Sequence, residues 1–514
     1  NSGKQKLIVY IILTLATLAV FWQVNRYDFV KYDDHIYVTE NIIIQSGITQ
    51  ERVSWALSAN SKRYADLWHP LIWLSLMFDY QLYGLNPGGY HLTNLILHIL
   101  STLLLFWLFN RMTGDVWKSA FVAALFAFHP LHVESVAWIA ERKDVLSAFF
   151  WMLTLCLYVY YTEKPLIRRY LLVVFSFVCA LMSKPMVVTL PLIMIFLDYW
   201  PLNRFESKKG NLFLWQLREK TFFFILSAVL VIITFYSPND TDTSAKVFSL
   251  ISRLANVPVA FITYLIKTFW PHDMAIFYPF TEHLPIWQVL GSSLLIIAIS
   301  AIVIVMAKRF PYLFVGWLWF SITIAPVIGI IQISLSTPYA IADRYHYLPS
   351  IGIATMLAWG IPSFIKSEKT KKILFSTAII FIIILAFLTW KQCGYWKNSA
   401  TLFSHALQVT KNNYLAHASL GLALFGEGKI NEALYHYNEA IRISPYYADA
   451  YNNRGIIYDN KGQYKLAIED YNTAIANKHY YAQAYNNRAN IYYKLGQYQL
   501  AIEDYNKAIT HKSD

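Results

Sequence analysis

Long apolar runs are the feature that most restricts what this chain can fold into. A transmembrane helix needs about 20 apolar residues, and about eleven runs approach that length before residue 394. Because lipid offers the backbone no hydrogen-bond partners, a spanning segment must form a helix or a closed barrel, and runs of this length fit helices. The sequence therefore predicts an all-α, polytopic membrane domain over residues 1–394. The runs are residues 7–24, 92–109, 120–139, 145–161, 170–183, 186–200, 221–236, 286–307, 313–333, 347–365 and 373–390.

The composition supports a membrane protein and argues against several soluble classes. Hydrophobic residues make up 56% of the chain and charged residues only 14%, whereas about 25% of the residues of soluble proteins are charged. A soluble enzyme, a disordered chain and a nucleic-acid binder all fit poorly. The three cysteines, Cys156, Cys179 and Cys393, lie in or beside apolar runs and offer neither a disulfide framework nor a metal-ligand spacing.

Basic residues set the predicted orientation. Lys4 and Lys6 precede the first run, which has no small-residue cleavage site, so we predict an uncleaved signal anchor with a cytoplasmic N-terminus. An odd number of spans then places the C-terminal region outside the cytoplasm, in the periplasm, the cell exterior or the endoplasmic reticulum lumen. On this topology most of the net charge of +12 falls in cytoplasmic loops. Residues 257–270, which contain Lys267, and residues 66–83 are predicted to be interfacial or re-entrant helices.

A 34-residue repeat occupies the chain after residue 394. The letters YNNR at residues 451–454 recur at 485–488, and GQYxxAIEDYN at 462–472 recurs at 496–506. This period, with small residues where two helices cross, is typical of tetratricopeptide repeats. We predict an α-solenoid over residues 395–514, made of a partial repeat and three repeats. Its close-approach positions are Gly421, Gly455 and Ala489, and the rings that fill the helix interface are Tyr437, Tyr471 and Tyr505.

Two asparagines are the candidate binding residues of the solenoid. Asn453 and Asn487 occupy equivalent positions on the first helix of their repeats, and Ser419 takes that position in the preceding repeat. An amide side chain offers both a donor and an acceptor, which suits pairing with a peptide backbone. The alternative is an ordinary solvated helix face.

Acidic and histidine residues collect in loops predicted on the outer side. Asp33 and Asp34 are adjacent, so their repulsion raises the pKa of one of them, which favours a general base or a metal ligand. A solvated acid pair is the alternative. His129, His132 and Glu134 have a spacing that could bind a metal. A capped helix end is the alternative there, and we favour it for His129.

Two cations interrupt apolar segments near the predicted outer edge. Lys184 splits two short runs, and Arg344 lies in a loop beside Asp343. Such cations bind phosphate groups, but they also snorkel to lipid headgroups. For Arg344 a simple ion pair with Asp343 competes with both interpretations.

Taken together and in order, these motifs resemble those of the transmembrane and tetratricopeptide-repeat O-mannosyltransferases, members of the GT-C glycosyltransferase superfamily. The resemblance covers nearly the whole chain. It departs from the family at Pro185, where the family usually has an acid, and in its short repeat array. The motifs are YDD at 32–34, TEN at 39–41, YGLNP at 83–87, YHL at 90–92, HPLHVESVAW at 129–138, RKDVL at 142–146, SK at 183–184, VTLP at 188–191 and DRYHYLPS at 343–350.

The resemblance implies an inverting transfer of a sugar from a polyprenyl-phosphate donor to a serine or threonine hydroxyl of a protein on the outer face. Asp33 is then the catalytic base, with Asp34 as its support or as a metal ligand. Fixed cations stabilise the phosphate leaving group. The candidate phosphate-binding cations are Arg344, Lys184 and Arg142, and the candidate second acidic element is Glu134 with Asp144.

The predicted partners follow from this interpretation: the lipid-linked sugar donor, the bilayer, and a protein or peptide acceptor bound by the repeats, with no nucleic acid. A monophosphate donor has less need of a bound metal ion than a diphosphate donor has. We therefore assign no metal ligand, and a requirement for a divalent cation stays an open alternative. The main alternative is a non-catalytic, membrane-anchored scaffold for protein assembly. A transporter fits less well, because the ionisable residues cluster at the outer edge rather than at the membrane midplane.

Overall fold

Helices account for all the regular secondary structure in the part of the chain described by the computed structural model, which comprises residues 2–58, 61, 68–207, 210–236, 249–281, 284–329 and 340–511 of 514. The predicted all-α class is confirmed. The helices up to residue 394 are α1 (Ser2–Phe21), α2 (Ile42–Gln45), α3 (Gln50–Leu57), α4 (Pro70–Tyr83), α5 (Pro87–Thr113), α6 (Val116–Phe128), α7 (Val133–Ala137), α8 (Arg142–Glu163), α9 (Ile167–Leu181), α10 (Leu190–Tyr199), α11 (Arg204–Ser207), α12 (Leu212–Tyr236), α13 (Leu250–Phe269), α14 (Ile286–Val305), α15 (Pro311–Ile324), α16 (Ser350–Ser363) and α17 (Glu368–Gly394).

Seven further helices and several short connecting turns complete the chain. The helices are α18 (Ser399–Val409), α19 (Tyr414–Gly426), α20 (Ile430–Ile443), α21 (Ala448–Asn460), α22 (Tyr464–Asn477), α23 (Ala482–Lys494) and α24 (Tyr498–His511). A π-helical turn covers His35–Thr39. Turns of 3-10 helix cover Trp22–Arg26, Pro130–His132, Ile139–Glu141, Pro185–Thr189, Ala325–Val327 and Asp343–His346.

Fewer helices reach spanning length than the apolar runs suggested. Six described segments are long and apolar enough to cross a membrane, and a seventh results if the bent pair α6 and Pro130–Ala137 counts as one span. Several other apolar runs fold as shorter helices, because polar or proline residues interrupt them, whereas the run at 221–236 lies within the 25-residue α12. Lys184 and Pro185, for example, separate α9 from α10 by a turn of 3-10 helix. The six segments are Gly3–Arg26, Pro87–Thr113, Ile139–Glu163, Leu250–Phe269, Ile286–Val305 and Glu368–Gly394.

Helix α13 differs from the interfacial or re-entrant helix expected at residues 257–270. It is 20 residues long and apolar enough to span. Lys267, the residue that argued against a span, lies in its last turn. There its Nζ donates to the carbonyl of His272 (3.0 Å) and to the hydroxyl of Tyr278 (2.7 Å). The charge therefore sits at a helix end with polar partners, where it does not oppose membrane insertion as a mid-helix lysine would.

Helix α4 occupies the second segment for which an interfacial helix was predicted, from residue 70 onward; residues 66 and 67 lie outside the described residues. Its side chains Ile72, Trp73, Leu76 and Met77 are fully buried in the main hydrophobic core. The helix therefore packs into the protein along one side.

The C-terminal helices form the predicted tetratricopeptide pairs, α19–α20, α21–α22 and α23–α24. The ring of Tyr437 lies so close to Gly421 that a Cβ there would come within 2.9 Å of it, and the ring of Tyr471 would be 2.7 Å from a Cβ on Gly455. Since real Cβ contacts are longer, glycine is what allows each helix pair to close. These two close-approach positions are therefore as the sequence predicted.

The repeat region packs directly on the membrane domain. Helix α18 contacts the loop after α13, where Phe403 stacks on Phe277 with ring centroids 5.9 Å apart. Asn413 donates to the carbonyl of Phe277 (3.1 Å), and the hydroxyl of Ser399 accepts from the backbone N–H of Lys31 (2.8 Å). The two parts share one hydrophobic core, and the boundary at residues 394/395, which coincides with the end of α17, stays a prediction.

Candidate functional site

Asp34 links the loop after α1 to the segment between α7 and α8 by hydrogen bonds. Its side chain is 1% exposed, and its carboxylate accepts the backbone N–H groups of Val30 (2.7 Å) and Ala140 (2.9 Å). Burial raises the pKa of Asp34 to about 7, although the two backbone bonds oppose the rise. Because both oxygens are occupied by backbone donors, Asp34 acts as a positioning residue for the loop that carries Asp33.

Asp33 is the predicted catalytic base, and its carboxylate lies beside several charged groups. It is half-buried, and within the described residues its side chain accepts no hydrogen bond and forms no ion pair. Burial raises the pKa of Asp33, while the nearby cations Lys143 and Arg344 act against that rise and the acid Glu141 adds to it. An unpartnered carboxylate with a raised pKa is the arrangement that a general base requires.

Arg344 pairs with two acids, and neither of them is its neighbour Asp343. Its guanidinium bonds the Glu134 carboxylate, its backbone N–H donates to the other Glu134 oxygen (3.1 Å), and its Nε lies 3.2 Å from Glu141. These ion pairs of Arg344 with Glu134 and Glu141 differ from the Asp343–Arg344 pair that the sequence left open as an alternative. Asp343 instead accepts from the hydroxyl of Tyr278 (2.7 Å) and lies 3.6 Å from the Lys267 ammonium.

Lys184 is the second cation of the site. It pairs with Asp144, whose other oxygen accepts the hydroxyl of Ser135 (2.9 Å). The face of Tyr345 lies 5.8 Å from the Lys184 ammonium and 5.0 Å from the Arg344 guanidinium. The predicted cations Arg344 and Lys184 therefore flank one ring, and the predicted acids Glu134 and Asp144 are their respective partners.

Arg142 lies away from this ring, inside the packing of α4 and α5. It is completely buried, and it donates to Asp79 (2.5 Å), to the Tyr90 carbonyl (3.0 Å) and to the Asn94 side chain. These contacts hold α4, α5 and the start of α8 together. The guanidinium would have to break them to reach a lipid phosphate, so we remove Arg142 from the candidate phosphate site.

Glu141 and Lys143 belong to the site but were not among the predicted residues. Their side chains lie 3.1 Å apart, Glu141 is 1% exposed, and the Lys143 ammonium sits 5.4 Å above the ring of Tyr37. The sequence signal was the run of four ionisable residues at 141–144 between apolar helices. Four adjacent charges ordinarily indicate a solvated turn, whereas here none of the four residues is exposed.

Asn453 and Asn487 lie in the solenoid, apart from the charged cluster. Asn487 donates to the side chain of Asn452 (3.0 Å), which in turn donates to Asn453 (3.2 Å). The two predicted residues are half-buried, so they form an amide chain between successive repeats. Whether they also bind a ligand stays a prediction.

Comparisons with known proteins agree with both halves of the structure. A family described as "Tetratricopeptide repeat" matches residues 448–481 and 482–514, and one described as "TPR repeat" matches residues 421–462. A protein O-mannosyl-transferase of Caenorhabditis elegans, F38B6.6, is 26% identical over 447 residues, which cover 82% of the chain and 60% of that protein.

Human and mouse proteins give similar matches. The human protein O-mannosyl-transferase TMTC1 is 24% identical over 439 residues, covering 76% of the chain and 49% of that protein. The mouse protein O-mannosyl-transferase TMTC3 is 23% identical over 441 residues, covering 78% and 47%. The chain thus spans between 47% and 60% of the length of these relatives. The resemblance predicted from the sequence is confirmed: the chain is a homologue of the transmembrane and tetratricopeptide-repeat protein O-mannosyl-transferases.

Proposed function

We propose that this protein is a membrane glycosyltransferase that moves a sugar from a polyprenyl-phosphate donor to a serine or threonine hydroxyl of a protein, with inversion at the anomeric carbon. The relatives are named protein O-mannosyl-transferases, which supports transfer of a sugar to a protein hydroxyl. The observation that carries the proposal is the unpartnered Asp33 carboxylate beside a group of buried cations.

Asp33 takes the proton of the acceptor hydroxyl in the proposed reaction. As the hydroxyl oxygen attacks the anomeric carbon, its proton passes to the carboxylate and the bond from that carbon to the phosphate oxygen breaks. Attack from the face opposite the leaving group inverts the anomeric centre, so a single base suffices. Asp34 holds the loop in position through its bonds to Val30 and Ala140.

The leaving phosphate binds, on this proposal, near Tyr345, between Arg344 and Lys184. Both cations approach that ring within 6 Å, and preorganised cations stabilise charge that grows on a leaving group. Glu134 and Asp144 hold the two cations in position and keep them charged.

The repeats present the acceptor to this site. The ring of Tyr32, the neighbour of Asp33, contacts Phe277 with centroids 4.8 Å apart, and Phe277 stacks on Phe403 of α18. A protein bound along the solenoid would therefore be held beside the Asp33 loop. We propose the orientation inferred from the basic loops, with a cytoplasmic N-terminus and the solenoid on the opposite side. Labelling of cysteines introduced at Gln483 and at Lys308 with an impermeant reagent on sealed vesicles would test it.

Asp33→Asn tests the catalytic assignment. Transfer from a labelled polyprenyl-phosphate sugar to a peptide should fall at least about 100-fold, since loss of a general base removes about 10²–10⁴ in rate. Glu40→Gln, an exposed acid in the same loop, should transfer at the wild-type rate. Equal transfer by wild type and Asp33→Asn would refute the proposal.

A non-catalytic scaffold is the second candidate, and the internal pairing of both site cations favours it. In that case Asn487→Ala should weaken capture of a partner by the repeats, and Asp33→Asn should change nothing. A transfer defect in Asp33→Asn with normal partner capture excludes the scaffold.

A further inference from the structure

Three buried histidines meet where the bend after α6 passes the Asp343–His346 turn. His129, His132 and His346 are 2%, 0% and 0% exposed. One ring nitrogen from each lies within 4.8 Å of the others, and the ring centroids are 4.9–5.5 Å apart. None of the three has a role in the proposed transfer.

The bend itself fixes the tautomer of His132. Pro130 has no N–H, so the Phe126 carbonyl loses the donor that a continuous helix would supply. The Nδ1 of His132 lies 2.7 Å from that carbonyl and must donate to it. Its Nε2 is therefore unprotonated, and this buried atom has no hydrogen-bond partner in the described part of the chain.

The end of α13 fixes the other two rings. The hydroxyl of Thr268 donates to the Tyr264 carbonyl (2.8 Å), so it can only accept from the Nε2 of His346 (2.7 Å). This leaves the Nδ1 of His346 unprotonated, and it too is buried without a partner among the described residues. The Nε2 of His129 donates to the Thr268 carbonyl (3.0 Å), and its Nδ1 accepts only a long bond from the Leu131 N–H (3.3 Å).

Each histidine thus keeps one nitrogen lone pair, and its other nitrogen donates to a carbonyl or hydroxyl oxygen. Metal-ligating histidines show this pattern, because the outer hydrogen bond selects the tautomer and orients the ring. Burying acceptor lone pairs without donors is costly, and a cation held by all three would remove that cost.

We propose that His129, His132 and His346 bind one divalent transition-metal ion of the Zn²⁺ class. Neutral imidazoles suit Zn²⁺, with Zn–N distances of about 2.1 Å, so the nitrogens of a tetrahedral site lie about 3.4 Å apart. One ring nitrogen of each histidine lies within 4.8 Å of the others, so binding would draw the three rings closer together by rotation of the side chains. His129 would give up its long bond from Leu131 in exchange.

The ion would clamp together the two segments that carry the Arg344–Glu134 pair. His132 lies two residues before Glu134, and His346 lies two residues after Arg344. Fixing these histidines to one ion fixes the separation of the two segments. The role is positional, and binding does not depend on whether the chain transfers a sugar.

Metal content of the full chain, purified in detergent, tests the site. After loading with Zn²⁺ and desalting, wild type should retain about one zinc per chain. His132→Gln and His346→Gln should each lose it. His91→Gln, which alters another fully buried histidine outside the cluster, should retain it.

A second measurement uses only the wild-type chain, so it tests the site even if the histidine variants fail to fold. Co²⁺ bound to the wild-type chain should give the visible absorption of a tetrahedral nitrogen site, and adding Zn²⁺ should abolish it by displacement. Wild type that holds no zinc and gives no such Co²⁺ spectrum would overturn the proposal. Zinc retained equally by His132→Gln and His346→Gln would overturn it as well.

Discussion

Arg142→Met tests whether the buried Arg142 stabilises the packing of α4, α5 and α8. In the folded chain the Arg142 guanidinium donates to Asp79 at 2.5 Å, and the two side chains are 0% and 1% exposed. The substitution keeps the volume of the side chain and removes its charge. Among the described residues Asp79 then retains only the hydroxyl of Thr93 (2.9 Å) as a donor, and Asn94 loses the guanidinium from its side-chain oxygen.

The expected loss of folding stability follows from these contacts. Removing one partner of a buried ion pair costs about 3–5 kcal/mol, because the other charge stays buried. In the double variant Asp79→Leu/Arg142→Met both charges are gone, and the remaining cost is the loss of the bonds from Arg142 to the Asn94 oxygen and the Tyr90 carbonyl, about 1–3 kcal/mol. The double variant should therefore be about 2 kcal/mol more stable than the single one.

Unfolding in mixed micelles by increasing SDS, followed by tryptophan fluorescence, measures these differences. Arg111→Met is the matched control, because Arg111 pairs with Glu163 (2.6 Å) but is 54% exposed, so solvent screens the pair and its loss should leave the unfolding midpoint nearly unchanged. A single variant as stable as wild type, or a double variant no more stable than the single one, would refute the reasoning. A stable double variant that cannot transfer sugar would return Arg142 to the donor site.

Three further predictions concern the base and the repeats. Because Asp33 must be ionised to accept a proton and burial raises its pKa, transfer should fall as the pH drops through a value above the ordinary aspartate pKa, in a pH profile of kcat/KM. Gly455→Ala should destabilise the repeats by about 1–3 kcal/mol, since its Cβ would lie 2.7 Å from the Tyr471 ring; thermal melting followed by circular dichroism measures the loss, and an unchanged melt contradicts it. Arg454→Gln should cost about 1–2 kcal/mol by removing the paired bonds to Asp470 (2.8 and 2.6 Å), and hydrogen exchange should rise in α21 and α22 but not in α24.

The repeats were predictable in detail because their contacts are local and periodic. The offset of 34 identified Gly421 and Gly455 as close-approach positions before any coordinates, and the rings of Tyr437 and Tyr471 lie there. The pairing of Arg454 with Asp470, 16 residues later and on the next helix, follows the same register. It was not singled out, because repeat periodicity does not state which surface residues meet.

The sequence predicted candidate residues for the site but not the pairs that these residues form. The sequence indicated candidate site residues in separate loops. These residues are Asp33, Glu134, Lys184 and Arg344. For Arg344 the sequence left an ion pair with the neighbouring Asp343 open as an alternative to phosphate binding, because adjacency in the chain is the only proximity that a sequence states. In the fold, residue 344 meets residue 134 across a separation of 210 positions.

The amino-acid sequence was sufficient to predict the class of this protein: apolar helices followed by tetratricopeptide repeats, with acids and cations in the intervening loops. Those features can be predicted because composition and periodicity are properties of residues that lie close together in the chain. The partners of the charged residues depend on the tertiary structure, which buries Arg142 against Asp79 and pairs Lys143 with Glu141 and Arg344 with Glu134. It also brought together His129, His132 and His346. The physical reason is that ion pairing and burial depend on distances across the fold, and helix packing sets those distances.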